Sequence, residues 1–196
     1  GESPALERSE LEELIRRARQ RLAGRIPLIA GSGTAGTAKS IVLSKAAEAA
    51  GADALLVVTP YYNRPTQDGL FQHFTAIADA VGIPLVLYNV PGRTACDMLP
   101  ETIARLSRHP RIVAVKEATG DVGRGLEVLR LSQPDFVLLS GDDATAAALM
   151  QAGALGVLSV TAHVAARARH DLYAAALRGA LAAAIGGAGT VDLEEG

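Results

Sequence analysis

The chain has 196 residues, 49% of them apolar, with 19 basic and 21 acidic side chains giving a formal charge of −2, which is material for one globular domain with its own core. Both signs of charge are interspersed and no apolar run approaches the ~18 residues of a membrane helix, which argues against a nucleic-acid or membrane-spanning role. Cys96 is the only cysteine, so an internal disulfide and a cysteine-based zinc site are excluded.

Taken in chain order, Gly1-Glu2-Ser3 carries no Met and no basic-then-apolar targeting pattern, so a fragment or processed chain is expected, without a sign of secretion. Ser9-Glu10-Leu11-Glu12 reads as a capping box, followed by Leu11, Leu14, Ile15, Ala18 and Leu22 on one helix face, with Gly24 placed to end the helix. Short apolar runs then recur at 26–30, 54–59, 84–88, 112–116, 136–140 and 156–161. Each is continuous and not alternating, as in parallel strands buried on both faces. Helical patterns separate them; Asp68 to Val81, for example, sets Leu70, Phe71, Phe74, Ile77, Ala78 and Val81 on one stripe before Gly82. The segment from 185 to 196 is Gly-rich and acidic and reads as a loose tail after a domain over 1–184.

This rhythm predicts α/β architecture, either an open doubly wound sheet or a (β/α)8 barrel with six strands visible. Polar residues gather at the carboxyl ends of the runs: Thr59-Pro-Tyr-Tyr-Asn63, Tyr88-Asn89, Lys116-Glu117, Gly141-Asp142-Asp143 and Ser159-Val-Thr161. Convergence from five strand ends suits a barrel mouth better than a crevice between two strands.

Lys116 ends an apolar strand. It either emerges into water or sits desolvated, in which case its pKa falls and the amine can attack a carbonyl to form a Schiff base. That chemistry needs a group to move protons, and Tyr88 and Tyr62, each following a strand, are the candidates. Arg93, in Asn89-Val-Pro-Gly-Arg-Thr94, is either a solvated loop residue or a bidentate clamp for a carboxylate. His73, His109, His163 and His170 lack metal-ligand spacing and are expected on helix surfaces or loops. Gly31-Ser-Gly-Thr-Ala-Gly36 matches a dinucleotide-loop pattern, but the next strand runs into Pro60 without the acid that would hold a ribose.

The motifs Thr59-Pro-Tyr-Tyr-Asn-Arg-Pro65, Tyr88-Asn-Val-Pro-Gly-Arg-Thr94, Val115-Lys-Glu-Ala-Thr-Gly120, Leu139-Ser-Gly-Asp-Asp143 and Gly156-Val-Leu-Ser-Val-Thr161 resemble, in order and spacing over residues 1 to 180, those of the 4-hydroxy-tetrahydrodipicolinate synthases. The resemblance implies a TIM (β/α)8 barrel of which this chain holds six strands, lacking the first two and the C-terminal helices. It implies a cytoplasmic enzyme of lysine biosynthesis that condenses pyruvate with aspartate semialdehyde, without a metal or organic cofactor, through a covalent pyruvate imine on Lys116. It further implies that Tyr88 positions and protonates intermediates, that Tyr62 reaches across a tight-dimer interface of a homotetramer, that Arg93 binds the aldehyde's carboxylate, and that Gly141 and Leu158 line the pyruvate pocket. N-acetylneuraminate lyases and sugar-acid aldolases share the lysine and the tyrosine, and a barrel remnant without catalysis is the competing class; Gly92-Arg93-Thr94 resembles the synthases more. Gly1-Glu2-Ser3 is similar to the end of a family motif whose two preceding threonines are missing. Where lysine-inhibited members carry an asparagine and a glutamate, this chain has Ala35 and Lys39, while Ser3 and Tyr61 match, so weak or absent lysine feedback is expected.

Overall fold

The computed structural model describes residues 3–179; Gly1, Glu2 and the segment read as a loose tail lie outside the described residues, as does the domain boundary after residue 184. Fourteen elements follow the short turn of helix at Ser3–Ala5: α1 (Arg8–Leu22), β1 (Ile29–Gly31), α2 (Thr37–Ala49), β2 (Ala54–Val58), α3 (Gln67–Asp79), β3 (Leu85–Asn89), α4 (Pro91–Thr94), α5 (Pro100–Leu106), β4 (Ile112–Glu117), α6 (Val122–Leu131), β5 (Val137–Ser140), α7 (Ala146–Gln151), β6 (Gly156–Val157) and α8 (Ala162–Leu177). The six strands form one parallel sheet in the order β1-β2-β3-β4-β5-β6. A doubly wound sheet reverses its order at a switch point, whereas a barrel wall keeps chain order. The strand order therefore decides between the two closures: this is six strands of an α/β barrel wall.

Alternation along the strands sorts the core. Leu55, Val57, Leu85, Leu87, Val115 and Leu138 are fully buried and share one cluster with Leu70, Phe74 and Ile77 of α3 and Ile103 and Leu106 of α5. Burying each large aliphatic side chain contributes roughly 1.5–3 kcal/mol, so this layer between sheet and helices is the main source of stability. Burial on both faces, expected for all six strands, holds for the central β3 and largely for β4; β2 and β5 alternate between buried and half-buried residues. Central strands are covered by neighbours on both sides, while the inner face of the outer strands is only half covered among the described residues.

The first helix starts differently from its sequence pattern. Glu7, not Ser9, is the cap, and the Glu10 carboxylate accepts the Glu7 N–H at 2.9 Å, leaving Ser9 inside α1. Ala23 takes the left-handed conformation that ends the helix, followed by Gly24 in the same region. Of the expected apolar face only Ile15 is buried, and Leu14 is 53% exposed. Arg19 ties α1 to the sheet instead, gripping Asp53 with two 2.8 Å bonds while Asp53 also accepts the Leu28 N–H at 2.7 Å. Gly33 is needed for close packing: a Cβ there would overlap the Val58 backbone nitrogen on β2. That accounts for part of the glycine-rich run without a nucleotide.

His73 corrects another expectation. It is 5% exposed on α3, with Nδ1 2.9 Å from the Thr37 hydroxyl of α2 and Nε2 without a partner among the described residues. It falls on the same stripe as Leu70, Phe74 and Ile77, and the helix period carries it inside. His109 lies in the turn after α5 against Asp79 at 3.0 Å, and His163 and His170 are exposed on α8, as expected.

A candidate active site at the carboxyl ends of the strands

Parallel pairing brings the polar strand ends to one edge of the sheet. Tyr88 of β3 and Lys116 of β4 are direct partners in the ladder, as are Asn89 and Glu117, and Leu139 of β5 sits beside Lys116 on the other side. The Lys116 side chain turns over Tyr88, placing Nζ 4.1 Å from the ring centroid. With 9% exposure the lysine does not emerge into water. Burial pulls its pKa below the ordinary lysine value, and the Asp143 carboxylate works in the opposite direction. Burial likewise raises the Tyr88 phenol, with the Arg93 guanidinium working against it, so the phenol stays protonated at neutral pH and can give a proton.

Room for the lysine depends on Gly141. A Cβ at that position would stand 2.7 Å from the Ala118 Cβ and 2.8 Å from the Lys116 Cε, closer than carbon atoms approach. The Gly141 N–H donates to the Glu117 carbonyl at 2.7 Å, which holds this turn against β4. Leu158 continues the β5–β6 ladder past β6, its N–H donating to the Ser140 carbonyl at 2.9 Å. Lys116, Tyr88, Gly141 and Leu158 thus line neighbouring strand ends, and Arg93 stands on α4, directly after the Tyr88 strand. Arg93 is exposed, and its guanidinium opposes the rise in the Tyr88 pKa.

Tyr62 is not brought against Lys116. Its side chain is 93% exposed and its backbone is left-handed, with φ of +74°, a conformation that costs a bulky residue energy and holds only where the surroundings impose it. Those surroundings are the Arg93 loop: the Tyr62 N–H donates to the Thr94 carbonyl at 3.3 Å, and the Thr59 and Thr94 hydroxyls meet at 3.3 Å.

Residues without an assigned role from sequence also occupy this edge. Asp143 accepts the N–H groups of Val160 and Thr161 at 2.9 and 3.0 Å and the Tyr173 hydroxyl at 2.9 Å. Burial opposes its ionisation, but these donors and the Ser159 hydroxyl outweigh that and hold it at about 2. Arg124, in the first turn of α6, binds Asp97 and Glu117. The signal for Arg124 is a basic residue placed where the helix dipole disfavours it. Among the described residues no group of three or more His, Cys, Asp or Glu side chains is arranged to hold a metal ion.

A family model described as the dihydrodipicolinate synthetase family matches residues 1–187. The chain is 56% identical over 184 residues to the 4-hydroxy-tetrahydrodipicolinate synthase of Pseudomonas aeruginosa, covering 94% of this chain and 63% of that protein. It is 59% identical over 179 residues to the synthase of Pseudomonas syringae, covering 91% and 61%. Among solved structures, the chloride-inhibited dihydrodipicolinate synthase of Acinetobacter baumannii, in complex with pyruvate, matches with a TM-score of 0.90 at 46% identity, over 94% of this chain and 65% of that one. The chain therefore spans less than two thirds of the length of each of these proteins.

Proposed function

The chain belongs to the dihydrodipicolinate synthetase family, and from that premise we propose that the protein it represents joins pyruvate to aspartate 4-semialdehyde through an imine on Lys116, giving 4-hydroxy-tetrahydrodipicolinate. The observation that carries this reading is the buried Lys116 amine lying 4.1 Å over the Tyr88 ring, with its pKa lowered by burial. A neutral amine attacks the ketone of pyruvate, the carbinolamine loses water, and the imine that forms draws electrons from the adjacent methyl group. Loss of a methyl proton gives the enamine, whose carbon attacks the aldehyde; the aldehyde oxygen takes a proton, and the amino group of the semialdehyde then adds to the restored imine carbon, closing the ring and expelling Lys116 as the free amine. Tyr88 is the proton carrier nearest these steps, and its burial favours the protonated phenol that a general acid must be. The imine itself is the electron sink, so the proposed route calls for neither metal nor organic cofactor.

In this reading Arg93 binds the carboxylate of the aldehyde with its guanidinium fork. Gly141 and Leu158 bound the space for pyruvate. Tyr62, turned outward, completes a proton path in a neighbouring subunit of a homotetramer, and the strain at its backbone supports a built outward position. The proposed setting is the cytoplasm; among the described residues no helix is long and apolar enough to cross a membrane.

A cavity of about 190 Å³ beside Tyr61 is lined by Arg8 and Lys39 together with Glu7. Arg8 is engaged by the Glu12 carboxylate at 2.7 Å, so the repulsion of lysine's ammonium groups falls to Lys39, and lysine feedback is weak or absent in this proposal. Calorimetric titration with lysine is expected to give no saturation in the micromolar range, and tight binding would contradict it.

The substrate assignment is tested by forming the pyruvyl imine, adding an aldehyde, reducing with borohydride and weighing the Lys116 peptide. Aspartate semialdehyde is expected to remove the pyruvyl mass from Lys116, because its amino group displaces the lysine as the ring closes, whereas the neutral N-acetylmannosamine is expected to leave the pyruvyl adduct in place. A preference for the sugar aldehyde would contradict the synthase reading.

A further inference from the structure

Tyr88 and Lys116 face the site, so the next residues on their strands, Asn89 and Glu117, point to the opposite side of the sheet. Both are buried, Asn89 at 0% and Glu117 at 2% exposure. The Asn89 amide nitrogen donates to Asp97 Oδ1 at 3.0 Å and Glu117 Oε2 at 3.1 Å, and its oxygen accepts the Met98 N–H at 3.0 Å. Glu117 Oε1 accepts the Thr119 N–H at 3.0 Å. Arg124 closes the cluster, donating to Asp97 at 2.8 and 3.1 Å, to Glu117 Oε2 at 3.3 Å and to the Met98 carbonyl.

The Asn89–Asp97 bond joins the two ends of the segment that carries Arg93. Arg93 itself is exposed, and among the described residues no hydrogen bond or ion pair holds its side chain. Its placement is therefore set by the backbone of the segment, which the Tyr62 N–H and the Thr59 hydroxyl hold at Thr94 and which Arg124 fastens at its far end to β4 and α6. Three acceptors in different directions require a planar fork of donors, which a lysine ammonium does not supply.

We infer that Arg124 is a positioning residue: by clasping Asp97 and the Met98 carbonyl to Glu117 it fixes the Arg93 loop beside the Lys116 pocket and so sets the affinity for the carboxylate of the aldehyde substrate. The inference rests on the function proposed above. It predicts a split, because the imine lysine and Tyr88 stay on their paired strands while the loop loosens.

The test uses the chain with Arg124→Lys and, separately, Asp97→Asn, both of which keep side-chain volume close to the original. Pyruvate is trapped on Lys116 with borohydride, and the experiment is repeated with increasing succinic semialdehyde, an aldehyde with a carboxylate and no amine. The enamine carbon bonds to the aldehyde carbon, the aldehyde oxygen takes a proton and the nitrogen returns to an imine, so reduction leaves the added mass on Lys116. In each variant the semialdehyde concentration for half conversion is expected to rise about tenfold, with pyruvate trapping within about twofold of wild type. Amide exchange at 93–96 is expected to quicken in the same samples. A pyruvate adduct with no rise in half-conversion concentration, or trapping that falls in parallel with it, overturns this inference alone. No pyruvate adduct on the wild-type chain overturns the functional reading and this inference with it.

Discussion

A buried lysine is tolerated only if it sheds its charge or finds compensation, and Lys116 has both a desolvating pocket and the face of an aromatic ring. Gly141 makes that pocket possible. Replacing it with Ala puts a methyl group 2.8 Å from the Lys116 Cε, so the lysine must swing away. We expect Gly141→Ala to slow pyruvate trapping by about a hundredfold, the size of effect a misplacement of roughly 1 Å can have. Its melting temperature should fall as well, since the Ala118 Cβ, 2.7 Å from the same point, is fixed to the backbone and cannot swing aside; unchanged trapping in the folded variant would contradict this reading. Tyr88→Phe keeps the ring under the Lys116 amine and removes only the hydroxyl. Loss of a proton carrier costs roughly 10²–10⁴ in rate, so imine formation should slow by at least about a hundredfold, measurable by stopped borohydride trapping.

At the scale of elements, the contact between α2 and α3 carries a pH-dependent cost. Burial lowers the His73 pKa from 6.5 to about 4. Below pH 6.5 the unfolded chain binds a proton that the folded chain refuses, so stability is full above that pH, falls as pH drops from 6.5 toward 4, and levels off below. Between pH 7 and pH 5 the loss is about 2 kcal/mol, since each tenfold difference in proton affinity between the two states is worth about 1.4 kcal/mol. Urea unfolding of wild type and His73→Gln at the two pH values isolates this contribution; equal pH dependence in both proteins would contradict it. The same histidine shows what the sequence hides. Its residue type says surface, and only its position on the Leu70, Phe74, Ile77 stripe says core. The capping box of α1 falls elsewhere for a similar reason: Ser9 and Glu12 have the right spacing, but Glu7 and Glu10 have it too, and spacing alone does not choose between them. Strand positions were legible because buried parallel strands are continuous apolar runs. Their ends were not, since β6 is only Gly156–Val157 although the apolar pattern runs to Thr161.

For the whole molecule, chain-order pairing is the feature periodicity could not supply, because it depends on which strands meet and not on what each contains. It leaves β1 and β6 paired on one side only among the described residues. Apolar side chains lie exposed near both: Ile26 and Ile29 at one edge, Leu155, Val160 and Val164 at the other. Open edges of this kind recruit further strands. Sedimentation of the chain is therefore expected to show concentration-dependent association, and Lys substitution at Ile29 and Leu155 to reduce it; a monomer at all concentrations would contradict this. The placement of Lys116, Tyr88, Gly141 and Leu158 at neighbouring strand ends was legible from the apolar runs and the polar residues that close them. The pairing of Asp97 with Arg124 was not, because the two stand 27 residues apart in the chain and meet only through folded contacts, and nothing in a single sequence joins them.

In the proposed reaction burial makes Lys116 the nucleophile, and the pH dependence of pyruvate trapping tests this, read by peptide mass on Lys116 with Lys39 and Lys45 in the same digests as references. Lys116 is expected to take nearly all the adduct at pH 8, and its trapping to rise with a midpoint below the ordinary lysine value of 10.5. Adduct spread over the three lysines according to exposure, or a Lys116 midpoint at the ordinary value, would contradict it.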